Sequence, residues 1–140
     1  MNRNITGMLA ILALTLSICV PTISAQTIVK ANVPFSFTVG KTEMPAGNYV
    51  VSSVSESAIA ITDRNTGTSV LSLFRSEQAK SNDGTAKLVF HKYGDKYFLS
   101  QVGRGLGGSL IQLPTSEQEQ EAQMQAARST SQKDVVVGAK

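Results

Sequence analysis

Residues 87–102, KLVFHKYGDKYFLSQV, are the part of the sequence that most strongly predicts the fold. β-Branched and aromatic residues flank Gly94-Asp95 on both sides, a pattern typical of a β-hairpin. Glycine at the first central position of a two-residue loop favours a type II′ turn. Such a turn sets the cross-strand pairs, which are Tyr93 with Lys96, Lys92 with Tyr97, His91 with Phe98, and Phe90 with Leu99.

The predicted hairpin has two faces, because side chains alternate along a strand. We expect the first face to lie in the core; its members are Leu88, Phe90 and Leu99. The second face is also partly apolar; its members are Val89, His91, Phe98 and Val102. We therefore expect another element to cover the second face.

Length and charge limit what the chain can be. Its 140 residues are enough for one domain, and 41% of them are hydrophobic, which is sufficient for a core. Without the first 25 residues, which contain one basic residue and no acidic one, 12 basic and 10 acidic groups remain. This balance does not favour nucleic acid as a partner. The single cysteine, Cys19, excludes an intramolecular disulfide.

The first 25 residues have the composition of a secretory signal peptide. Arg3 precedes the apolar run of residues 8–20, and a Pro-containing segment then ends at the small residue Ala25. The apolar run is shorter than the ~20 residues that a membrane-spanning helix needs. We predict cleavage after Ala25 and export to the periplasm or the extracellular space. The alternative is a lipoprotein signal with Cys19 lipidated, although the bulky Ile18 stands where a small residue is expected.

The rest of the chain predicts short strands followed by one helix. Alternation of apolar and polar residues predicts strands at 27–39, 48–54, 57–63, 68–74 and 109–113. Pro34 cannot donate a backbone hydrogen bond, so we expect the first strand to lie at a sheet edge or to be bulged there. Residues 68–74 have apolar groups on both faces, which favours a central strand. We divide the chain into a signal peptide (1–25), a β domain (26–113), a C-terminal helix (114–129) and a flexible tail (130–140).

The helix begins with a capping box. Ser116 can accept a hydrogen bond from the backbone amide three residues later, and Glu119 can reach back to the cap. We expect a surface helix from about Glu117 to Arg128. In the tail after it, Val135-Val136-Val137 leaves two interpretations open. The segment is either a loose terminus or a strand that adds to a sheet edge, its own or that of a neighbour.

Few residues have a pattern typical of catalysis or of metal binding. His91 is the only histidine, and the predicted pairing places it opposite Phe98 and no acid. The carboxylates are scattered, several of them beside turn residues, so we predict no catalytic residue, no metal site and no cofactor. Gly103, Gly105 and Gly108 match G-x-G-x-x-G, but no helix follows at once, so a turn or bulge is the expected role. A hydrolase that acts through His91 and a nearby carboxylate is the least favoured alternative.

The hairpin tip is the candidate binding site that the sequence favours. It groups two lysines with two tyrosines, and the four residues are Lys92, Tyr93, Lys96 and Tyr97. Basic and aromatic side chains together can hold an anionic glycan or an envelope surface by charge and stacking. The alternative is a solvated tip whose lysines discourage edge-to-edge aggregation.

Three segments of the chain carry a family resemblance. They are residues 33–40 with 45–51 (VPFSFTVG and PAGNYVV), residues 88–102 (LVFHKYGDKYFLSQV) and residues 113–119 (LPTSEQE). These segments resemble a group of small exported proteins of unknown function from soil bacteria. The resemblance implies a small β-rich secreted bacterial domain and no particular reaction.

Taken together, these patterns predict an all-β, mainly antiparallel barrel or sandwich of about seven strands with one C-terminal surface helix. The first functional hypothesis is a non-enzymatic module with a binding or structural role in the envelope or outside the cell. The second is self-assembly through exposed strand edges, which makes a second copy of the chain a candidate partner. The strands expected to pair are the one containing Pro34 and Val135-Val136-Val137.

Overall fold

The computed structural model describes residues 25–78, 84–105, 108–129 and 132–139. These residues form eleven strands and one helix. In chain order the elements are β1 (Gln26–Val33), β2 (Phe37–Val39), β3 (Thr42–Met44), β4 (Gly47–Ser55), β5 (Ala58–Asp63), β6 (Ser69–Leu73), β7 (Ser76–Gln78), β8 (Ala86–Tyr93), β9 (Lys96–Arg104), β10 (Leu110–Gln112), α1 (Glu117–Ala127) and β11 (Gln132–Gly138). Residues 1–24, which hold Cys19 and nearly all of the predicted signal peptide, lie outside the described residues.

The strands form two sheets that pack face to face. The first has the order β1-β4-β5-β6, and the second has the order β11-β8-β9-β10-β7, with β2 beside β9 and β3 beside β2. Apolar side chains from both sheets meet in one buried core; the largest are Tyr49, Phe37, Phe90, Met44, Ile59, Ile61, Leu88 and Ile111. The prediction of a mainly antiparallel all-β fold with one C-terminal helix is therefore confirmed, and the architecture is a sandwich.

The number of strands exceeds the predicted seven because one predicted strand is divided in two and three further strands, β3, β7 and β11, lie outside the predicted ones. The stretch predicted as one strand over residues 27–39 is two strands, β1 and β2, separated at Pro34. β1 pairs with β4 at the edge of the first sheet, whereas β2 pairs with β3 and β9 in the second. Proline cannot continue a ladder, and the break lets Val33 and Phe37 enter the core from opposite sheets. The short strands β3 and β7 lie in stretches for which no strand was predicted.

The β8–β9 hairpin has the predicted register at its tip. All four predicted pairs are present, and Gly94 has a φ of +60°. A β-bulge at Ser100 then shifts the pairing by one residue, so that Leu88 lies opposite Val102. The shift turns Val102 to the core face. The prediction that Val102 shares a face with His91 and Phe98 is therefore wrong.

The helix covers the second face of the hairpin, as the sequence predicted that some element would. Ala122 and Ala126 of α1 pack on Tyr93 and Phe98 in a small cluster apart from the main core. Small side chains allow the helix to approach the sheet closely. Within the described residues no helix combines the length and the hydropathy that crossing a membrane requires.

Residues 132–138 form a strand where we predicted a flexible tail. β11 pairs antiparallel with β8, with Val135 opposite Phe90 and Val137 opposite Leu88. This strand satisfies backbone groups of β8 that would otherwise form a sheet edge, and Val137 packs against the core. Of the two interpretations of the triple valine, addition to the chain's own sheet is the one found.

Two further expectations concern β6 and the glycine-rich turn. β6 is an edge strand, not a central one, because it ends the strand order β1-β4-β5-β6. Its apolar residues Leu71 and Leu73 face away from the core and are exposed. Gly105 has a φ of +70°, and a Cβ there would lie 2.8 Å from the backbone nitrogen of Ala86. Gly103 lies within β9, and the Gly108 N–H donates to the Gly105 carbonyl at 2.7 Å, so Gly105 and Gly108 have the turn role that was expected.

The turn after β5 depends on a buried carboxylate. Asp63 Oδ1 accepts from the Asn65 backbone N–H at 2.8 Å, and Oδ2 accepts from Thr66 Oγ1 at 3.0 Å. We expect Asp63→Ala to lower the free energy of unfolding by about 1–3 kcal/mol, because both donors lose their acceptor. Urea denaturation measures the change, and Glu56→Ala in the exposed preceding turn is the control. Equal effects of the two substitutions would contradict this role.

Candidate functional site

Three elements bring polar groups to His91 of β8. They are the strands β9 and β11 of the second sheet and the helix α1. The imidazole Nδ1 lies 2.7 Å from Glu119 Oε1 of α1, and Nε2 lies 3.1 Å from Ser100 Oγ of β9. Asp134 Oδ1 of β11 lies 4.0 Å from Nε2. A carboxylate accepts hydrogen bonds, so Nδ1 donates to Glu119, and Nε2 of the neutral ring then accepts from the Ser100 hydroxyl. His91 thus connects β8 to three other elements.

Each partner reaches His91 for a local reason. Ser100 is the bulged residue of β9, and the bulge directs its side chain to the helix-covered face. Glu119 occupies the third position of α1, where its backbone N–H donates to Ser116 Oγ as the capping box predicts. Its carboxylate, however, points to His91. Asp134 lies directly opposite His91 in the β8–β11 ladder.

Tyr93 completes the polar cluster. Burial raises the pKa of Tyr93, and the negative charges of Glu119 and Asp134 and a hydrogen bond to Glu119 raise it further. The Glu119 residue is only 4% exposed; its Oε1 lies 2.7 Å from His91 Nδ1, and the Tyr93 hydroxyl lies 3.4 Å from the same Nδ1. A buried carboxylate needs such partners, because burying an unpaired charge is costly. The cluster thereby holds the start of the helix on the sheet.

Sequence reasoning missed this cluster. The prediction that His91 lies opposite Phe98 is confirmed, but the acid comes from α1 and not from the hairpin. Two observations together could have indicated it: an uncovered hairpin face that contains a histidine, and a helix whose third residue is Glu119. Neither observation by itself shows that the helix packs on that face.

The order Ser100–His91–Glu119 is that of a nucleophile, a base and an orienting acid. Two features differ from a working catalytic centre. Ser100 is only 5% exposed, so its hydroxyl has little contact with solvent. It also lies within a paired strand and not on a sharp strand-to-helix turn that presents a nucleophile to a ligand. In this conformation the array links strand and helix by hydrogen bonds, and Ser100 is largely shielded from solvent.

The four residues predicted at the hairpin tip divide between its two faces. Lys92 and Tyr97 are a cross-strand pair on the core side, where Lys92 Nζ lies 5.3 Å from the Tyr97 ring centroid. Phe35 stacks on the same ring with 4.0 Å between centroids. Tyr93 and Lys96 pair on the helix side, where Tyr93 is buried and Lys96 is exposed. The structure therefore does not bring the four together as one surface.

A cleft of about 480 Å³ lies between the start of β9, the β2–β3 hairpin and α1. Most of its lining residues are polar. Phe37 and Phe98 also line it but are only 1% and 3% exposed, and the Tyr97 ring packs against Phe35 on the core side. The polar lining residues are Ser36, Thr38, Lys41, Glu43, Asp95, Lys96, Gln118, Glu121 and Gln125. None of Ser100, His91 and Glu119 lines it. The cleft and the histidine cluster therefore lie on the same side of the sheet but are separate.

The cleft has a mixed charge. Three carboxylates, those of Glu43, Asp95 and Glu121, face two ammonium groups, those of Lys41 and Lys96. Lys41 Nζ also lies 3.5 Å from Glu117 Oε2, an exposed pair that contributes little to stability. In the part of the chain that the structure describes, no three His, Cys, Asp or Glu side chains are grouped so as to hold a metal ion. The cleft is suited to polar groups that both donate and accept hydrogen bonds.

Comparison of the chain with protein-family models, with curated proteins and with solved structures gave no match. The resemblance of residues 33–51, 88–102 and 113–119 to exported proteins of soil bacteria therefore remains a prediction. The site has to be interpreted from its own geometry.

The position of Glu119 leads to a testable prediction. We expect Glu119→Ala to lower the free energy of unfolding by about 2–3 kcal/mol, because His91 and Tyr93 lose their shared acceptor at the helix–sheet interface. The matched control is Glu121→Ala, which removes an exposed carboxylate from the same helix and should change stability by less than about 0.5 kcal/mol. Guanidinium denaturation followed by circular dichroism measures both. Similar values for the two variants would show that the cluster does not hold the helix.

Proposed function

We propose that the chain is an exported, non-enzymatic β-sandwich module that binds a neutral glycan in the cleft between the hairpin tip and α1. The composition of residues 1–25 supports export. The observation that carries the binding function is the cleft itself, whose lining combines amide and hydroxyl side chains with charged groups of both signs. Cell-envelope and extracellular saccharides are the ligands that an exported protein with such a cleft would meet.

The lining of the cleft supports a polyhydroxylated ligand. The amides of Gln118 and Gln125 and the hydroxyls of Ser36 and Thr38 can each donate and accept, as sugar hydroxyl groups do. Ligand sites generally use a few such well-placed polar groups to fix the orientation of the bound molecule.

The charge of the cleft favours a neutral glycan over an anionic one. Three carboxylates against two ammonium groups give an anion no net attraction. Lys92, which the sequence grouped with the tip, lies on the opposite face of the hairpin beside Tyr97. An anionic glycan held by Lys92 and Lys96 together would have to reach around the tip.

Binding to a panel of soluble oligosaccharides tests this function. We expect calorimetry to detect binding of a neutral member, such as a cello-, malto- or chito-oligosaccharide. The double variant Gln118→Ala/Gln125→Ala should weaken it about tenfold or more, because two hydrogen bonds of about 1 kcal/mol each are lost. The matched control is Gln120→Ala/Gln123→Ala, which changes two exposed glutamines of α1 outside the cleft lining.

Two results would contradict the proposal. One is the absence of binding to any neutral saccharide. The other is binding to an acidic oligosaccharide, such as an oligogalacturonate, that Lys92→Ala/Lys96→Ala abolishes and the glutamine double variant does not. The second result would support the hairpin-tip site in place of the cleft.

A serine hydrolase is the second candidate, and the array of Ser100, His91 and Glu119 is the observation in its favour. It would act by attack of Ser100 Oγ on the carbonyl carbon of an ester while His91 Nε2 accepts the hydroxyl proton. The ester C–O bond then breaks, the leaving alcohol takes that proton from His91, and water hydrolyses the acyl-serine to release the acid. This candidate requires that the helix or β11 move to admit substrate to Ser100.

Labelling with a fluorophosphonate probe separates the two candidates. We expect no covalent adduct on the full chain, because the Ser100 hydroxyl is buried and its hydrogen bond to His91 is structural. Intact-mass spectrometry measures the adduct, and a known serine esterase labelled in parallel confirms the probe. A stoichiometric adduct that disappears in both Ser100→Ala and His91→Asn would establish the hydrolase and overturn the non-enzymatic function.

A further inference from the structure

The edge strands of the sandwich are unequally protected against pairing with another chain. Charged residues or prolines on an edge strand discourage such pairing. Among the described strands at the sheet edges, β1, β3, β7 and β11 each contain a charged residue. In that order the residues are Lys30, Glu43, Glu77, and Lys133 with Asp134. The remaining edge strand, β6 (SVLSL), has neither a charge nor a proline.

β6 also exposes its largest side chains. Leu71 and Leu73 are 70% and 69% exposed, and they are the two most exposed large hydrophobic residues among those described. They lie two positions apart and so point to the same face, the outer face of the first sheet. Opposite them on β5 lie Ala60 and Ala58, which extend an uncharged surface inward from the edge.

Among the described strands only β5 pairs with β6, so the other side of β6 presents backbone N–H and C=O groups. The Phe74 N–H donates to the Ser57 carbonyl at 2.9 Å, toward β5. Because the direction of these groups alternates in an antiparallel ladder, Ser72 also faces β5, while Leu71 and Leu73 direct their N–H and C=O groups outward. The Leu73 carbonyl also accepts from the neighbouring Ser72 Oγ at 3.4 Å, a weak local bond, and no described strand pairs with this side of β6.

The sequence of β6 complements itself in one antiparallel register. When Ser72 lies opposite Ser72 of a second copy, Leu71 lies opposite Leu73 of that copy on the outer face, and Val70 lies opposite Phe74 on the inner face. Arg75 then lies opposite Ser69, so no like charges meet. In the register centred on Leu71, Leu73 and Val70 would instead lie opposite serines. The first register places apolar side chains together on both faces.

We propose that two copies of this chain associate through β6 about a two-fold axis at Ser72, joining two four-stranded sheets into one of eight strands. The pairing forms four backbone hydrogen bonds at Leu71 and Leu73 and shields both leucines from water. A closed two-fold contact of this kind uses the same patch on both copies and does not propagate into fibres. It is independent of the cleft, which lies against the second sheet.

The assignment differs from the edges that the sequence indicated. The strand before Pro34 is an edge strand but contains Lys30, and Val135-Val136-Val137 is already paired with β8 on one side. β11 also contains Lys133 and Asp134. In a pair of β11 strands, some registers would place like charges opposite each other, which is destabilising and limits the registers that can form. β6 contains no charged residue, so its pairing is not limited in this way.

Sedimentation velocity over about 1 µM to 1 mM tests the proposal on the full chain. We expect a monomer–dimer equilibrium, and Leu71→Lys should raise the dimer dissociation constant at least tenfold. Two matched controls place the same lysine on other exposed apolar residues, Val136→Lys on β11 and Met124→Lys on α1. Both should leave the equilibrium unchanged. A monomer at all concentrations would overturn the proposal, as would a dimer that Val136→Lys abolishes and Leu71→Lys does not.

A cysteine variant tests the register. In a non-hydrogen-bonded antiparallel pair the Cα atoms lie about 4.5 Å apart, within the range that a disulfide spans. In a Cys19→Ser background, Ser72→Cys should therefore form a disulfide-linked dimer on mild oxidation. Ser69→Cys, which lies opposite Arg75 in this register, should remain largely unlinked. Equal cross-linking of the two variants would contradict the assigned register.

Discussion

The β-bulge at Ser100 is the constraint on which much of this structure depends. Before the bulge, the β8–β9 hairpin follows the simple pairing that its two-residue turn imposes. After it, the pairing shifts by one residue, so that Val102 turns into the main core opposite Leu88 while Ser100 is left facing the helix side. Strand alternation before the bulge already lets the hairpin contribute Phe90 and Leu99 to the main core and Tyr93 and Phe98 to the cluster under the helix; the bulge adds Val102 to the main core. The same strand, β9, pairs with β2 near its start and with β10 near its end, so both remaining parts of the second sheet are attached to it.

The histidine cluster shows how a polar network can resemble a catalytic array and still be explained by stability. Glu119 is buried where the helix meets the sheet, and a buried carboxylate requires donors. His91 and Tyr93 supply them, and Ser100 satisfies the other imidazole nitrogen. The groups follow the order of a catalytic triad, but such an array acts on a substrate only where the substrate can reach the serine hydroxyl. Ser100 is only 5% exposed and does not line the cleft, and its hydrogen bond to His91 joins β9 to β8.

The two surfaces that we consider functional lie on different sheets. The cleft is formed where α1 and the β2–β3 hairpin rise above the start of β9 on the second sheet. The unprotected edge, β6, belongs to the first sheet. Pairing through β6 would leave the cleft of each copy open, so a dimer would present two binding sites. Two linked sites increase the avidity for a repetitive ligand such as a polysaccharide without any new contact.

The sequence by itself determined the features that depend on neighbours in the chain. The turn at Gly94-Asp95, the four cross-strand pairs beside it, the cap at Ser116 and the need for a cover over the second hairpin face all follow from local patterns, and each is present. Only the tertiary structure decided where Pro34 sends the chain, which edge β6 occupies, and that Val135-Val136-Val137 returns to its own sheet. It also decided that Glu119 meets His91, 28 residues away in the chain. The physical reason is that periodicity and turn chemistry act over a few residues, whereas sheet order and buried charge pairs depend on which distant surfaces fit together. A single sequence contains no direct signal of that fit.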